Sequence, residues 1–212
     1  MSCHSLFLDL ASHNGCIACV SADRVLASRA IDHRIADHEL LPAVEAVLAE
    51  AEWTYENLTH IACVTGPGGF TSLRVAVTLA NTLSDQLGVP SVGIHLSDVY
   101  AARVFPLPAG EGQGEGLLWL HSTKKSSLFA RTFGIQDSKW KEPTLITTEE
   151  LIAYRSSLAA ASWCGELIPD HQPLVATFQP AALLPIQDAL PSFLAAQTYE
   201  HKILQPWYGR GW

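Results

Sequence analysis

Apolar and polar positions alternate with a period of two at the start of the chain. In SLFLDL (5–10), Leu6, Leu8 and Leu10 fall on one face, the pattern of a half-buried strand. The run leads into Ser12-His13-Asn14-Gly15. Asn-Gly there predicts a tight hairpin turn, because both central positions of such a turn need positive φ. CIACVS and RVLASRAI, separated by a turn at Ala22-Asp23, read as the next two strands of an antiparallel meander. The period then lengthens. From Asp37 to Glu52, Leu40, Leu41, Val44, Val47, Leu48 and Ala51 recur at helical spacing. Pro42 lies in the first turn, and Asp37 is the candidate N-cap. A strand HIACVT (60–65), a turn GPGGF and a helix from Thr71 to Leu87 follow, the helix being stopped by Gly88 and Pro90. Strand SVGI and a helix over Ser97 to Val104 complete the first half.

The order βββαβα is that of the ribonuclease H-like core of actin-like ATPases, an α/β fold. It speaks to architecture and not to function. The Pro/Gly-rich segment PLPAGEGQGEG (106–116) marks a lobe boundary. Two lobes are therefore expected, 1–105 and 106–212. The second carries a hairpin (LLWLHS and LFARTF), a helix from Glu149 to Leu158, a strand at SWCGE and a helix from Pro191 to Tyr199 before the tail QPWYGRGW. It is the reduced member of the pair.

Charge narrows the partners. The net charge is −8, and the basic residues form no cluster beyond Lys124-Lys125. Nucleic-acid binding draws on basic surface that neutralises phosphates, so an RNA would be held by another subunit. No apolar run approaches the roughly 18 residues of a membrane span. The first residues lack the basic start of a signal peptide, and a cytoplasmic location is expected. The five cysteines are too few for a disulfide framework. Cys16 and Cys19, three apart in a strand, point to opposite faces, which opposes chelation and disulfide closure.

The stretch Thr65 to Arg74 (TGPGGFTSLR) carries the most chemistry. Glycines at a strand-to-helix junction either cradle a phosphate or serve a tight turn, and both readings stand. The Lys-Ser/Thr of a Walker loop and the dinucleotide spacing are missing. His33 and His38 are five apart across a predicted helix start, not the four that places two ligands on one face, so no metal site is assigned. A kinase-like enzyme would use Asp9 for metal-phosphate chemistry and Gly68-Gly69 for a phosphate. It would also need a second glycine-rich loop, which the C-terminal half lacks. On the long helix, Arg74, Thr78, Asn81 and Asp85 form a polar stripe, while Leu73, Ala76, Val77, Ala80 and Leu87 cover the sheet. Val75, Leu79, Thr82, Leu83 and Gln86 are left as the candidate partner face, unless the second lobe covers them. Trp207, Tyr208 and Trp212 in the tail either anchor a partner or dock on the second lobe.

These motifs resemble the TsaB (YeaZ) family. Gly66, Pro67, Gly68, Phe70, Thr71, Leu73 and Arg74 match its G-x-G-P-G-S-F-T-G-L-R segment. His38-Glu39-Leu40-Leu41-Pro42 is similar to its S-E-x-L-L-P, Leu87-Gly88-Val89-Pro90 to its L-G-I-P, Gly93 to its V-G-V, and Asp9 and Ser12 to its I-D-T-S strand. The tail Pro206 to Arg210 fits its P-x-Y-x-R. Gly69 and Ser72 depart from the pattern, as does His121 to Lys125 where a D-x-R-R-x stretch is usual. The resemblance implies a non-catalytic scaffold for tRNA threonylcarbamoyladenosine modification. It would pair with a TsaD-like transferase, be joined by a TsaE-like ATPase, and form a homodimer when alone. ATP or ADP would lie between subunits, and tRNA would be met only through the complex. Asp9, Ser12, Gly68, Gly69, Thr71 and Arg74 would then be a vestigial nucleotide or phosphate site. The alternative is a glycoprotease-like peptidase or a small ATP-dependent kinase acting alone.

Overall fold

The alternating run at the N-terminus becomes β1 (Ser5–Asp9), every residue of which is buried. In the computed structural model, residues 3–32, 37–105, 116–158 and 161–209 are described. β2 (Asn14–Val20) and β3 (Val25–Asp32) complete the antiparallel meander. α1 (Asp37–Glu50), β4 (His60–Gly66), α2 (Phe70–Leu87) and β5 (Ser91–His95) follow, with β4 parallel to β1 and β5 parallel to β4. The sheet order is β3-β2-β1-β4-β5, the ribonuclease H-like arrangement. Leu6 and Leu8 meet Val44 and Val47 of α1 and Ala76, Val77 and Ala80 of α2 in one core. Each fully buried aliphatic side chain contributes about 1.5–3 kcal/mol. Gly88, left-handed at φ 63°, ends α2 as the sequence predicts.

The second unit repeats this plan. After α3 (Leu96–Val104), β6 (Leu117–Lys124), β7 (Ser127–Phe133) and β8 (Thr144–Ile146) form an antiparallel meander. α4 (Thr148–Tyr154) leads to β9 (Ser162–Glu166) beside β6 and β10 (Gln179–Pro180) beside β9, both parallel. The order β10-β9-β6-β7-β8 matches that of the first sheet strand for strand. Where α2 stands in the first unit, this one has only a 3₁₀ turn, Pro169–Val175. That is the reduction the sequence indicates.

Contacts divide the chain into Met1–Leu96 with Pro185–Tyr208, and Ser97–Leu184 with Gly209–Trp212. A single cut at 105/106 is therefore not the division. The last helix, α5 (Ile186–Ala195), returns to the first unit.

Other elements also differ from expectation. Asn14 and Gly15 are not a turn but the first pairs of β2, opposite Asp32 and Ile31. Gly15 is needed because a Cβ there would collide with the Asp9 carbonyl oxygen. Leu41 of α1 is 49% exposed and lies off the buried stripe. The helix expected from Pro191 instead starts at Ile186, with Pro185 as its N-cap, so Pro191 sits inside it. β8 and β10, three and two residues long, are too short to show a period.

The returning segment is fastened to α2. Asn81 Nδ2 donates to the Leu204 carbonyl at 3.0 Å, and the Leu204 N–H donates to Asn81 Oδ1 at 2.8 Å. Glu200 pairs with Ser91 at the margin of β5. Asn81→Ala removes both side-chain bonds and should cost about 1–3 kcal/mol in urea unfolding. The exposed control Thr78→Ala should stay within about 0.5 kcal/mol of the parent.

Candidate functional site

Two loops meet at the carboxyl ends of β1 and β4. The first is closed by Asp9, which is only 2% exposed. Its Oδ1 accepts from the N–H groups of Ala11 (2.9 Å) and Ser12 (3.1 Å), and its Oδ2 from the Ser12 hydroxyl (2.7 Å). The carboxylate thus caps the loop it begins, as Asp does in turns. On neighbouring β4, burial first and the Asp9 charge second push the Cys63 thiol well above its usual range.

The second loop joins β4 to α2. Gly66 has φ 142° and precedes a cis proline, Pro67. A Cβ on Gly66 would collide with the Trp207 carbonyl oxygen. A Cβ on Gly68 would lie 2.6 Å from the Ala11 oxygen and 2.7 Å from its Cα. Both glycines therefore admit the protein's own backbone. Gly69 is different: the nearest atom to a Cβ there is Ser72 Oγ at 3.5 Å. It is exposed, extended, and the N-cap of α2.

Of the six candidate phosphate-site residues, Asp9, Ser12 and Gly68 are thus brought together within the folded loops. Gly69, Thr71 and Arg74 lie exposed at the start of α2. The Arg74 guanidinium stands over the Phe70 ring at 5.4 Å. Phe70 itself is 60% exposed and rests 5.0 Å from Tyr208. This Phe70–Arg74–Tyr208 group escaped the sequence reading, which took Phe70 only as a motif position. No local pattern could join it to a tyrosine at the far end of the chain.

Trp207 and Tyr208 of the tail belong to the first unit. Trp207 donates its N–H to the Thr65 carbonyl at 2.8 Å and meets His95 edge-on at 4.6 Å. Trp212 lies outside the described residues. On the outer side of α2, Val75 and Leu79 are half-buried against the core, and Thr82 and Gln86 are exposed. Leu83 does not belong with them. It is buried in the core, because seven residues after Ala76 and three after Ala80 it shares their stripe. His38 is exposed on α1, and His33 lies outside the described residues. Cys16 and Cys19 are buried and share no disulfide, and burial pushes the Cys19 thiol up to about 12.

The family model of TsaD, tRNA N6-adenosine threonylcarbamoyltransferase, matches residues 31–160. A protein of Buchnera aphidicola (strain APS) named tRNA threonylcarbamoyladenosine biosynthesis protein TsaB is 26% identical over 101 residues, 48% of this chain and 44% of that protein. The TsaB protein of Bacillus subtilis is 30% identical over 100 residues, 46% and 43% of the two chains. A tRNA N6-adenosine threonylcarbamoyltransferase of Vesicomyosocius okutanii is 41% identical over 61 residues, 28% of this chain and 18% of that one. The chain spans less than half the length of these curated relatives. Among solved structures, an uncharacterized protein with similarity to peptidase YEAZ from Pseudomonas aeruginosa superimposes with a TM-score of 0.70 at 21% identity, covering 98% of this chain and 100% of that one. YeaZ from Pseudomonas aeruginosa gives 0.60 at 18%, covering 82% and 90%. Both share the fold.

The two adjacent glycines separate an internal role from a ligand-binding one. Gly68→Ala should lower unfolding free energy by about 2–3 kcal/mol, since the Ala11 backbone must move. Gly69→Ala should change it by less than about 1 kcal/mol. Urea titrations of both variants measure the difference, and equal losses would contradict the assignment.

Proposed function

The chain belongs to the TsaD family, that of tRNA N6-adenosine threonylcarbamoyltransferase, and we propose that it serves tRNA threonylcarbamoyladenosine formation as a non-catalytic partner of a TsaD-type transferase. The observation that carries this reading is the contact between Gly68 and Ala11. The two loops that would hold a phosphate in an active member pack backbone on backbone, and the Asp9 carboxylate is engaged by its own loop. Chemistry then falls to the partner, along with the tRNA, since this chain carries a net charge of −8 and no basic stripe.

The docking face of this proposal is the outer arc of α2, made of Val75, Leu79, Thr82 and Gln86. Two half-buried aliphatics flanked by exposed amide and hydroxyl groups suit an interface that also exists in water. The same face serves a homodimer when the partner is missing. A TsaE-type ATPase joins the pair, and ATP or ADP lies between subunits rather than on this chain alone.

The test is reconstitution with the TsaD-type protein of the same genome. The mixture should co-elute in gel filtration and modify tRNA, while this chain alone should do neither and should hydrolyse no ATP. Leu79→Glu should keep its fold and weaken partner binding at least about ten-fold. Val77→Glu, a charge placed at a 3%-exposed core position, should unfold the chain. Transfer or ATP turnover by the chain alone, or unweakened binding by Leu79→Glu, would overturn the proposal.

A further inference from the structure

At the opposite end of β1 from Asp9, four polar side chains converge. β1 and β4 run parallel with Ser5 in register with His60. Cys3, just before β1, places its Sγ 3.6 Å from His60 Nδ1 and 3.5 Å from Ser5 Oγ. Thr59 Oγ1 stands 2.8 Å from the same ring nitrogen. That hydroxyl accepts from the His4 N–H at 2.9 Å and can donate to the His4 carbonyl at 3.2 Å. Tyr199 packs edge-on against the His60 ring at 4.5 Å. Burial pushes its phenol up to about 12, so it stays neutral. Cys3 and Tyr199 are the titratable groups in contact with His60 among the described residues.

The other cysteines differ from Cys3. Cys16, Cys19, Cys63 and Cys164 are buried, whereas Cys3 is half-exposed. Burial pushes both Cys19 and Cys164 up to about 12, which suppresses the nucleophilic thiolate. Cys3 alone combines access for a reagent with an adjoining base. Desolvation lowers His60 from the ordinary histidine value, leaving a neutral ring able to accept a proton near pH 7.

We propose that Cys3 is a thiol-modification site that exchanges with small disulfides of the glutathione class, with His60 as its proton acceptor. The network is complete for both proton positions. When the thiol proton moves to His60 Nδ1, Thr59 Oγ1 accepts the new N–H and sends its own hydrogen to the His4 carbonyl. The Ser5 hydroxyl then donates to the sulfur. The Cys3 thiolate attacks one sulfur of the small disulfide, whose S–S bond breaks, and the departing thiolate takes the proton from His60. In sum, Cys3–SH and R–S–S–R give Cys3–S–S–R and R–SH, so the Cys3 sulfur is oxidised and one R–S group reduced. The adduct sits beside Tyr199, next to the Glu200–Ser91 bridge that holds the returning segment.

The experiment is timed exposure of the folded chain to oxidised glutathione, with adducts located by peptide mass mapping. One adduct is expected, on Cys3, and Cys3→Ser should remove it. His60→Asn should slow the reaction roughly ten-fold or more at pH 7, with circular dichroism checking the fold. If that variant fails to fold, the pH profile of the parent decides. An assisted thiol holds its rate below the thiol range until the His60 ring itself takes up a proton, whereas an unassisted one loses about ten-fold per pH unit below that range. First reaction at another cysteine, an unchanged rate in folded His60→Asn, or the unassisted profile would overturn the proposal.

Discussion

The first unit depends on a buried carboxylate that its own loop satisfies. A charge taken out of water costs several kcal/mol unless hydrogen bonds replace the lost solvent. Asp9 finds three such bonds within three residues, from two N–H groups and one hydroxyl. This fixes the path of residues 10–12. That path sets the Ala11 backbone against Gly68, and Gly68 sets where α2 begins. The outward face of α2 is thus positioned by a loop on a different strand.

The second unit shows what the same plan becomes without that helix. Its sheet repeats the first in order and in strand direction, yet β9 and β10 are joined by a 3₁₀ turn instead of eighteen helical residues. Its core is made of Leu118, Leu120, Leu128, Trp140 and Ile146 with Leu151 and Phe178. At the position of β6 that corresponds to Asp9 on β1, the buried residue is His121, whose Nδ1 lies 3.6 Å from Glu166 on β9. The topology is kept while the loop chemistry is replaced.

What could be read from the sequence was whatever is periodic. β1 to β5, α1 and α2 follow from residues two or three to four apart, and the sheet order follows from the sequence of elements. Contacts that depend on distant partners could not be read this way. Gly15 looked like a turn residue, but the constraint on it comes from the Asp9 carbonyl in another strand. Leu83 looked spare because the stripe through Ala76 and Ala80 was drawn too narrowly. The glycine loop was found, but its two readings could not be separated until Ala11 and Trp207 were seen against Gly68 and Gly66. The tail reads from sequence as either a partner anchor or a cover for the second lobe, and the contacts of Trp207 with Thr65 and His95 and of Tyr208 with Phe70 have no local pattern to announce them.

The clasp between Asn81 and Leu204 makes the first unit discontinuous along the chain. On the ribosome, β1 to β5 emerge well before α5 and the segment that closes them. At ordinary synthesis rates that interval is on the order of ten seconds. Throughout it, Asn81 has no Leu204 to hold, the margin of β5 has no Glu200, and the buried apolar side chains of α5 and Leu204 are missing. The nascent lobe is therefore an incomplete sheet with an exposed edge, the kind of surface that holdase chaperones recognise and that pairs wrongly with neighbours. Native assembly of the first unit therefore waits until the whole intervening stretch Ser97–Leu184 has been made.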